Sequence, residues 1–332
     1  MSNEIYIKEK IINKLIIVKI TLILSLIILS ILSLFIGVVN INFLDVFSMS
    51  YEQAVILFAS RIPRLVSIII VGMGMSICGL IMQMLTRNRF VSPSTAGTMD
   101  GARLGILLSM LTAGSAGIFW RSIFAFAFTL LSTLIFLQLL ERIKYKNILF
   151  VPLVGIMYGN ILTSITMFIA LQSDIVQNVS TWLIGDFSSV LRGGYELIYI
   201  IIPFVGVAYL FANKFIIAGM GEDFSKNLGL NYRLTMNIGI VIVSIISSIS
   251  LLIVGIIPFL GLVVPNIVSI ILGDNLKKTL PITALFGAVF LLICDIISRL
   301  VRFPFEVPIN LTVGIIGGII FLYLLMRRKN ND

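Results

Sequence analysis

Residues 61–85 read RIPRLVSIIIVGMGMSICGLIMQML, and after Arg64 this stretch contains no charged residue until Arg87. An α-helix needs about 20 consecutive apolar residues to cross the hydrocarbon core of a bilayer. Pro63 suits the first turn of such a helix, because the N–H that proline lacks would have no intrahelical partner there. The stretch therefore predicts a membrane-spanning helix that begins close to Arg61.

The composition extends this interpretation to the whole chain. Hydrophobic residues make up 59% of the sequence, charged residues only 12%, and the mean hydropathy is +1.12. A soluble protein could not cover so much apolar surface with so few charges. We therefore expect an all-α polytopic membrane protein. Cys78 and Cys294 lie singly inside apolar runs and are expected to be small core residues, without a disulfide or a metal.

Further apolar runs lie near residues 20–39, 98–113, 118–140, 148–171, 194–213, 234–255, 258–272, 279–298 and 307–326. With the first stretch they predict about ten transmembrane helices. The runs at 98–113 and 258–272 are short, so we expect them to be buried among other helices and interrupted by Gly or Pro. The run at 20–39 could instead belong to a signal peptide, but no small-residue cleavage site follows it, which favours a retained helix.

The distribution of basic residues predicts the orientation of the chain. There are 24 Lys and Arg residues, and an even number of spans with an inner N-terminus leaves few of them outside, namely Arg61, Arg64, Arg121, Arg192, Arg299 and Arg302. This bias follows the positive-inside rule. It places residues 1–19, the loop 214–233 and the tail 327–332 in the cytoplasm. We expect the chain to form a single transmembrane domain over residues 1–332. The net charge of +9 therefore does not indicate nucleic-acid binding, since the sequence shows no basic stripe interleaved with aromatic residues.

Arginines that flank spans on the outer face run against this trend. Arg61 and Arg64 begin one span, and Arg299 and Arg302 end another. They could reach the lipid headgroups or pair with acids such as Glu306. They could also form a basic rim for an acidic partner outside the cell, because complementary rim charges speed association and fix its register.

An ordered set of short motifs runs along the chain. After Arg61-Ile62-Pro63-Arg64 come Gly72, Gly74, Gly79, Gln83, Arg87-Asn88 and Pro93, then Trp182-Leu183-Ile184-Gly185, then GIIPFLGLVVP at 255–265, and finally Gly273-Asp274, Pro281, Gly287, Asp295, Arg299 and Glu306-Val307-Pro308. Each motif alone is unspecific. In this order over residues 61–326, they resemble the FecCD family, the permease subunits of bacterial ABC importers for ferric siderophores, haem and cobalamin.

The resemblance implies a transport permease of the FecCD and cobalamin-importer type, with ten helices and both termini in the cytoplasm. It implies a multi-pass protein of the bacterial cytoplasmic membrane whose partners are a second permease subunit (in a homo- or heterodimer), two cytoplasmic ATPase subunits and an extracytoplasmic siderophore-binding protein. In the family, arginines that match Arg61, Arg64 and Arg299 meet acidic residues on the two lobes of the binding protein. No Walker A motif is present, so the ATPase partner handles ATP, and this chain is expected to bind no cofactor and to be no enzyme.

The inner loop GMGEDFSKNLGL at 219–230 has the features of a short helix. Glu222 and Asp223 suit a helix N-terminus, and Gly229 suits its end. On composition alone an ordinary connection between helices is equally acceptable. The family places its ATPase-coupling helices here, which implies a coupling role for Gly221, Glu222, Asp223, Asn227, Leu228 and Gly229.

The intramembrane residues bear on the cargo. The chain has no His, and its spans lack a cluster of Cys, Asp and Glu that could replace the water around a bare metal ion. A metal chelate needs only a wide, weakly binding tunnel. The residues expected to line it are Met75, Met82, Gln83, Pro258, Phe259, Pro265 and Asn266. The alternative for the methionines is plain core packing.

The remaining features narrow the function. Pro265 is followed by Asn266 where many relatives carry His, which resembles the branch that includes permeases for catecholate-type siderophores and weakens a haem or cobalamin assignment. Asp295 with Arg299 and Asp100 with Arg103 have helical spacing and are expected to form structural ion pairs. An ion-coupled secondary transporter is a weaker alternative, since neither inverted repeats nor midplane coupling residues are evident.

Overall fold

A computed structural model describes residues 2–37, 50–113, 117–143, 150–177, 184–273 and 276–329. Within these ranges the chain is predominantly helical. The α-helices are α1 Ser2–Phe35, α2 Tyr51–Ile56, α3 Ile62–Leu85, α4 Thr98–Ala113, α5 Ile118–Arg142, α6 Phe150–Gln172, α7 Ile201–Leu210, α8 Ala212–Gly219, α9 Glu222–Asn227, α10 Tyr232–Val254, α11 Leu260–Leu272, α12 Leu276–Leu300 and α13 Ile309–Lys329. A π-helical turn, Leu57–Arg61, joins α2 to α3, and a 3₁₀ turn, Glu196–Ile200, precedes α7.

The central element is α3. The helical stretch that ends with it begins at Ser50, whose side chain caps the Gln53 N–H while the Gln53 side chain returns to the Ser50 N–H. It is the most deeply buried of the long apolar helices. Glycines let its neighbours approach closely, since a Cβ on Gly79 would overlap the carbonyl oxygen of Gly261 in α11. Small residues at such positions are the usual way in which membrane helices pack.

Over the residues that the structure describes, each apolar run that the sequence marks coincides with a helix or a pair of helices. In the described ranges, six helices are long and apolar enough to cross a membrane, and a seventh span is formed if α7 and α8, with the 3₁₀ turn before them, are taken together across their 61° bend. The all-α membrane architecture is thus confirmed. The number ten and the positions of the termini stay predictions.

The segment before α11 has an irregular backbone. Gly255 has a φ of 89°, an angle that glycine adopts without steric cost. Phe259, directly before α11, has a φ of 59°, which is unusual for a bulky residue. Ile256 forms an isolated bridge with Ile184, so the Ile184-Gly185 end of the earlier motif lies against this segment, whereas Trp182 and Leu183 lie outside the described residues. As expected, α11 is largely buried and contains a proline, Pro265.

The first helix is tied to the bundle at two levels. Near its start, Lys14 Nζ donates to the carbonyl of Ile271 at 2.7 Å, in the last turn of α11. Near its end, the Ser33 side chain is buried against α12. Much of the surface between these points is exposed and apolar, which suits a helix that faces lipid.

Candidate functional site

Two of the three arginines predicted to dock a partner, Arg64 and Arg299, meet at one end of the bundle around a single carboxylate. Arg64 in the first turn of α3 donates from Nε and Nη2 to one oxygen of Asp295, at 3.1 and 2.7 Å. Arg299, one turn after Asp295 in α12, donates to the other oxygen. The Asp295 side chain has no exposed surface. The predicted pairing of Asp295 with Arg299 is confirmed, and Arg64 completes the site from another helix.

A second carboxylate reaches Arg64 from outside the helices. Arg64 Nη1 donates to Glu306 Oε2 at 2.6 Å. Glu306 lies in the irregular segment 301–308 between α12 and α13, and 30% of its side-chain surface is exposed. Pairing of an outer arginine with Glu306 was one of the two interpretations of the sequence, and it holds for Arg64.

Arg61 and Arg299 also serve the end of α1. Arg61 Nη1 donates to the Leu34 carbonyl at 2.6 Å, and Arg299 Nη1 donates to the carbonyls of Ser33 and Ile36 at 2.9 and 3.1 Å. The last carbonyls of a helix have no intrahelical partner and carry partial negative charge. The two guanidinium groups satisfy them and fix α1 against α3 and α12.

The burial of these arginines qualifies how they could meet a partner. Arg61, Arg64 and Arg299 are only 7%, 7% and 5% exposed, so they form a buried network, not a free rim. Arg302, by contrast, is exposed and lies over the Phe305 ring, 6.0 Å from its centroid. A docking role for the three buried arginines stays a prediction.

The inner loop contains the short helix that the sequence suggested. α9 begins directly after Gly221, whose φ of 126° is open to glycine, and Gly229 with φ 74° follows its end. Ser225 is buried, and its Oγ donates to the Ile217 carbonyl at 2.9 Å, which fixes α9 against α8. The Lys226 ammonium lies 2.9 Å from Glu222, and its hydrogen bond holds the pKa of the Glu222 carboxyl below its ordinary value.

One face of this loop presents large apolar side chains to solvent. Met220, Phe224 and Leu228 are 58%, 49% and 58% exposed. Phe224 lies within α9, and Met220 and Leu228 flank the helix on its two sides. We call these three residues the inner ridge. Beside α9 lies a cleft of about 790 Å³ whose polar lining includes Arg87, Glu141, Glu222 and Arg233.

The residues predicted to line a translocation pathway lie in two environments. Met75, Met82 and Gln83 are buried in α3, where the two methionines pack in the main apolar core. Pro258 and Phe259 are half-buried, and the Phe259 ring stacks on Phe321 with centroids 6.1 Å apart. The methionine positions suit the packing alternative, and a pathway role stays a prediction for the whole set.

Pro265 and Asn266 are also buried, and Asn266 has a defined structural task. Its Nδ2 donates to the Arg89 carbonyl at 2.8 Å and to the Leu262 carbonyl at 2.7 Å. Asn266 thereby ties α11 to the turn that follows α3.

The second predicted intramembrane ion pair is also present. Arg103 Nη1 lies 3.8 Å from Asp100 Oδ1. Thr163 in α6 bridges the two, since its hydroxyl donates to Asp100 at 3.1 Å and accepts from Arg103 at 3.2 Å. The pair therefore joins α4 to α6 and is a structural link, as expected.

Sequence reasoning missed several partners at these sites. Ser33, Leu34 and Ile36 offer carbonyls to the arginines, and a carbonyl carries no residue-specific signal. Met220 and Phe224 were not singled out in the coupling loop. Their spacing of four with Leu228 is a signal that could have identified them.

Comparison with known proteins agrees with this architecture. The sequence profile of the FecCD transport family matches residues 25–327. The chain is 58% identical over 297 residues to the petrobactin import system permease protein YclN of Bacillus subtilis, covering 90% of this chain and 94% of the relative. It is 43% identical over 295 residues to the ferric-anguibactin transport system permease protein FatD of Vibrio anguillarum, covering 89% and 94%.

A solved structure shares the fold. A metal-chelate type ABC transporter in an inward-facing conformation superposes with a TM-score of 0.75 at 22% sequence identity, covering 93% of this chain and 98% of that chain. The profile match spans nearly all the described helices, and two relatives are similar over most of their length. The chain therefore belongs to the FecCD transport family.

Proposed function

We propose that this chain is the membrane-spanning permease subunit of an ABC importer that carries a ferric siderophore, of the catecholate type, across the bacterial cytoplasmic membrane. Its partners are a second permease subunit, identical or homologous, two cytoplasmic ATPase subunits and an extracytoplasmic siderophore-binding protein. The ATPase subunits bind and hydrolyse ATP. This chain supplies the pathway and two contact surfaces, one at each end of the bundle.

The observation that carries the proposal is the inner ridge on a rigid support. Leaving Met220, Phe224 and Leu228 in water is unfavourable, because burying a large apolar side chain contributes about 1.5–3 kcal/mol. The ridge is centred on a six-residue helix that Ser225 fixes to α8. A short helix seated in a cleft of an ATPase can pass nucleotide-driven closure to the bundle as a rigid-body movement.

The choice of cargo has separate support. The similarity to permeases named for petrobactin and ferric-anguibactin, at 58% and 43% identity, supports a ferric siderophore, and the Pro265–Asn266 pair supports the catecholate type. A chelate keeps its iron coordinated, so the pathway needs no metal ligands of its own. Transport of cobalamin or haem by the same fold is the alternative.

We propose that the binding protein docks on the outer arginine network, which consists of Arg61, Arg64 and Arg299. Arg64 is the point of contact, because its partner Glu306 is partly exposed. Reversing Arg64 or Arg299 would place a third carboxylate beside Asp295 and disturb the fold, so the docking test is best made on the binding protein. Replacing the acids on both of its lobes by Ala leaves the permease unchanged.

The expected result is a loss of affinity for the permease–ATPase complex in nanodiscs of about tenfold at low salt, since each rim pair contributes only about 0.2–1 kcal/mol. The loss is expected to shrink at high salt, because salt screens exposed charges. Acids on the opposite face of the binding protein, replaced in the same way, serve as the control. Unchanged affinity of the lobe variant at both salt concentrations would contradict docking on this network.

A further inference from the structure

Arg64 is held by two carboxylates in unlike settings. Asp295 is fully buried, lies within a helix and is shared with Arg299. Glu306 has 30% of its side chain exposed and lies in the irregular segment 301–308. Asp295 takes the Nε and Nη2 atoms of the guanidinium, and Glu306 takes Nη1. The two carboxylates therefore contact different nitrogen atoms of the same guanidinium group.

This difference decides which contact can be exchanged. Removing Asp295 would take away the buried carboxylate that Arg64 and Arg299 share, which is strongly unfavourable. Removing Glu306 exposes one side of one guanidinium to water or to another carboxylate. At this partly exposed position, replacing Glu306 by a carboxylate of another protein keeps Arg64 in an ion pair. The exchange therefore costs little free energy.

We propose that Glu306 is an internal competitor for the docking site on Arg64. It occupies the position that a lobe carboxylate of the binding protein takes, and it leaves when that partner arrives. The inference rests on the proposed docking role of Arg64. Between docking events, Glu306 keeps the outer side of the guanidinium neutralised, and this lowers the affinity for the partner.

The segment that carries Glu306 is suited to such an exchange. Besides the Glu306 contact with Arg64 of α3, the Val301 and Val307 N–H groups donate to the carbonyls of Ile297 and Ser298 in α12, at 3.0 and 3.1 Å. Val301, Phe303 and Phe305 are 68%, 58% and 68% exposed. A partner that displaces Glu306 therefore meets apolar surface beside a charged group, the usual composition of a protein interface.

The test is the affinity of the importer's siderophore-binding protein for the permease–ATPase complex in nanodiscs that carries Glu306→Gln. We expect binding to tighten by about two- to fivefold, the change that one exposed ion pair is worth. The gain is expected to disappear when the matching lobe carboxylate of the binding protein is replaced by Ala. Glu306→Ala is expected to change affinity in the same direction, and the thermal stability of both variants reports whether the fold is kept.

Glu196→Gln is the matched control. Glu196 also lies on the predicted outer side, but it accepts from the Gly193 N–H at 2.7 Å, whereas Arg64 donates to Asp295 and Glu306. Equal tightening by this control would show a general charge effect and overturn the proposal, as would unchanged or weaker binding of Glu306→Gln. A different result would contradict the docking proposal itself, namely normal binding of a lobe variant of the binding protein to the wild-type permease.

Discussion

At the scale of single residues, Asp295 holds together groups from three helices. Its carboxylate accepts from Arg64 of α3 and Arg299 of α12, and Arg299 in turn caps α1. Asp295→Asn keeps the shape but removes the charge, so both buried arginines lose their shared counter-charge. Breaking a buried pair in this way costs about 3–5 kcal/mol.

We therefore expect Asp295→Asn to lower the melting temperature of the purified subunit clearly. Asp174→Asn is the matched control, because Asp174 is exposed and its positive φ of 56° is one that asparagine adopts readily. A melting temperature of Asp295→Asn equal to that of the control would show that the network contributes little.

These pairs show how far sequence reasoning reaches for residues. Asp295–Arg299 and Asp100–Arg103 are separated by one helical turn, and residues three or four apart share a helix face, so both pairs could be predicted. Arg64 and Asp295 are separated by 231 residues. Their contact depends on how α3 and α12 pack, which spacing along the chain does not encode. For the same reason, the sequence could not show that Arg61, Arg64 and Arg299, the arginines predicted to dock a partner, are buried.

At the scale of elements, the inner ridge makes a prediction about coupling. Leu228→Glu places a charge in the proposed ATPase contact, where leaving it unpaired is unfavourable. We expect the subunit to insert and fold normally while ATP hydrolysis becomes uncoupled from transport. The measurement is ATP hydrolysis and transport side by side in the reconstituted complex.

Leu228→Met is the matched control, since methionine keeps the apolar volume and adapts to its surroundings. It is expected to retain coupling. Near-normal transport by Leu228→Glu, with the ATPase subunits copurifying as in the wild type, would remove the coupling assignment of α9.

The short helix α9 could be read from the sequence because its signals are local. Glu222 and Asp223 favour a helix start, and Gly229 takes the left-handed conformation that ends one. The π-helical turn Leu57–Arg61 gave no comparable signal. The apolar runs marked in the sequence leave out residues 40–60, whereas residues 51–61 form a helical extension that leads into α3. A π-turn depends on packing and has no residue code.

At the scale of the whole molecule, composition and long apolar runs predicted the fold class, because a helix of about 20 apolar residues spans the bilayer and satisfies its own backbone groups there. The number of spans could not be settled in the same way. α11 has 13 residues, which gives a length of about 20 Å, less than the roughly 30 Å of the hydrocarbon core. Whether such a helix completes a crossing depends on its neighbours and on the bilayer.

The central claim is that the assembled complex imports an intact ferric chelate at the expense of ATP. We expect no transport of free iron, because removing water from the ion requires ligands that this chain is not expected to supply in its spans. The matched cargoes are therefore the same labelled iron as a catecholate chelate, as a hydroxamate chelate and without any chelator.

The most direct measurement is uptake of this iron into proteoliposomes that contain the permease, its ATPase subunits and the binding protein. The account predicts saturable, ATP-dependent accumulation of the catecholate chelate, none of free iron, and loss of uptake when the ATPase subunits are left out. Saturable uptake of free iron without a chelator, or chelate uptake that persists without the ATPase subunits, would contradict it.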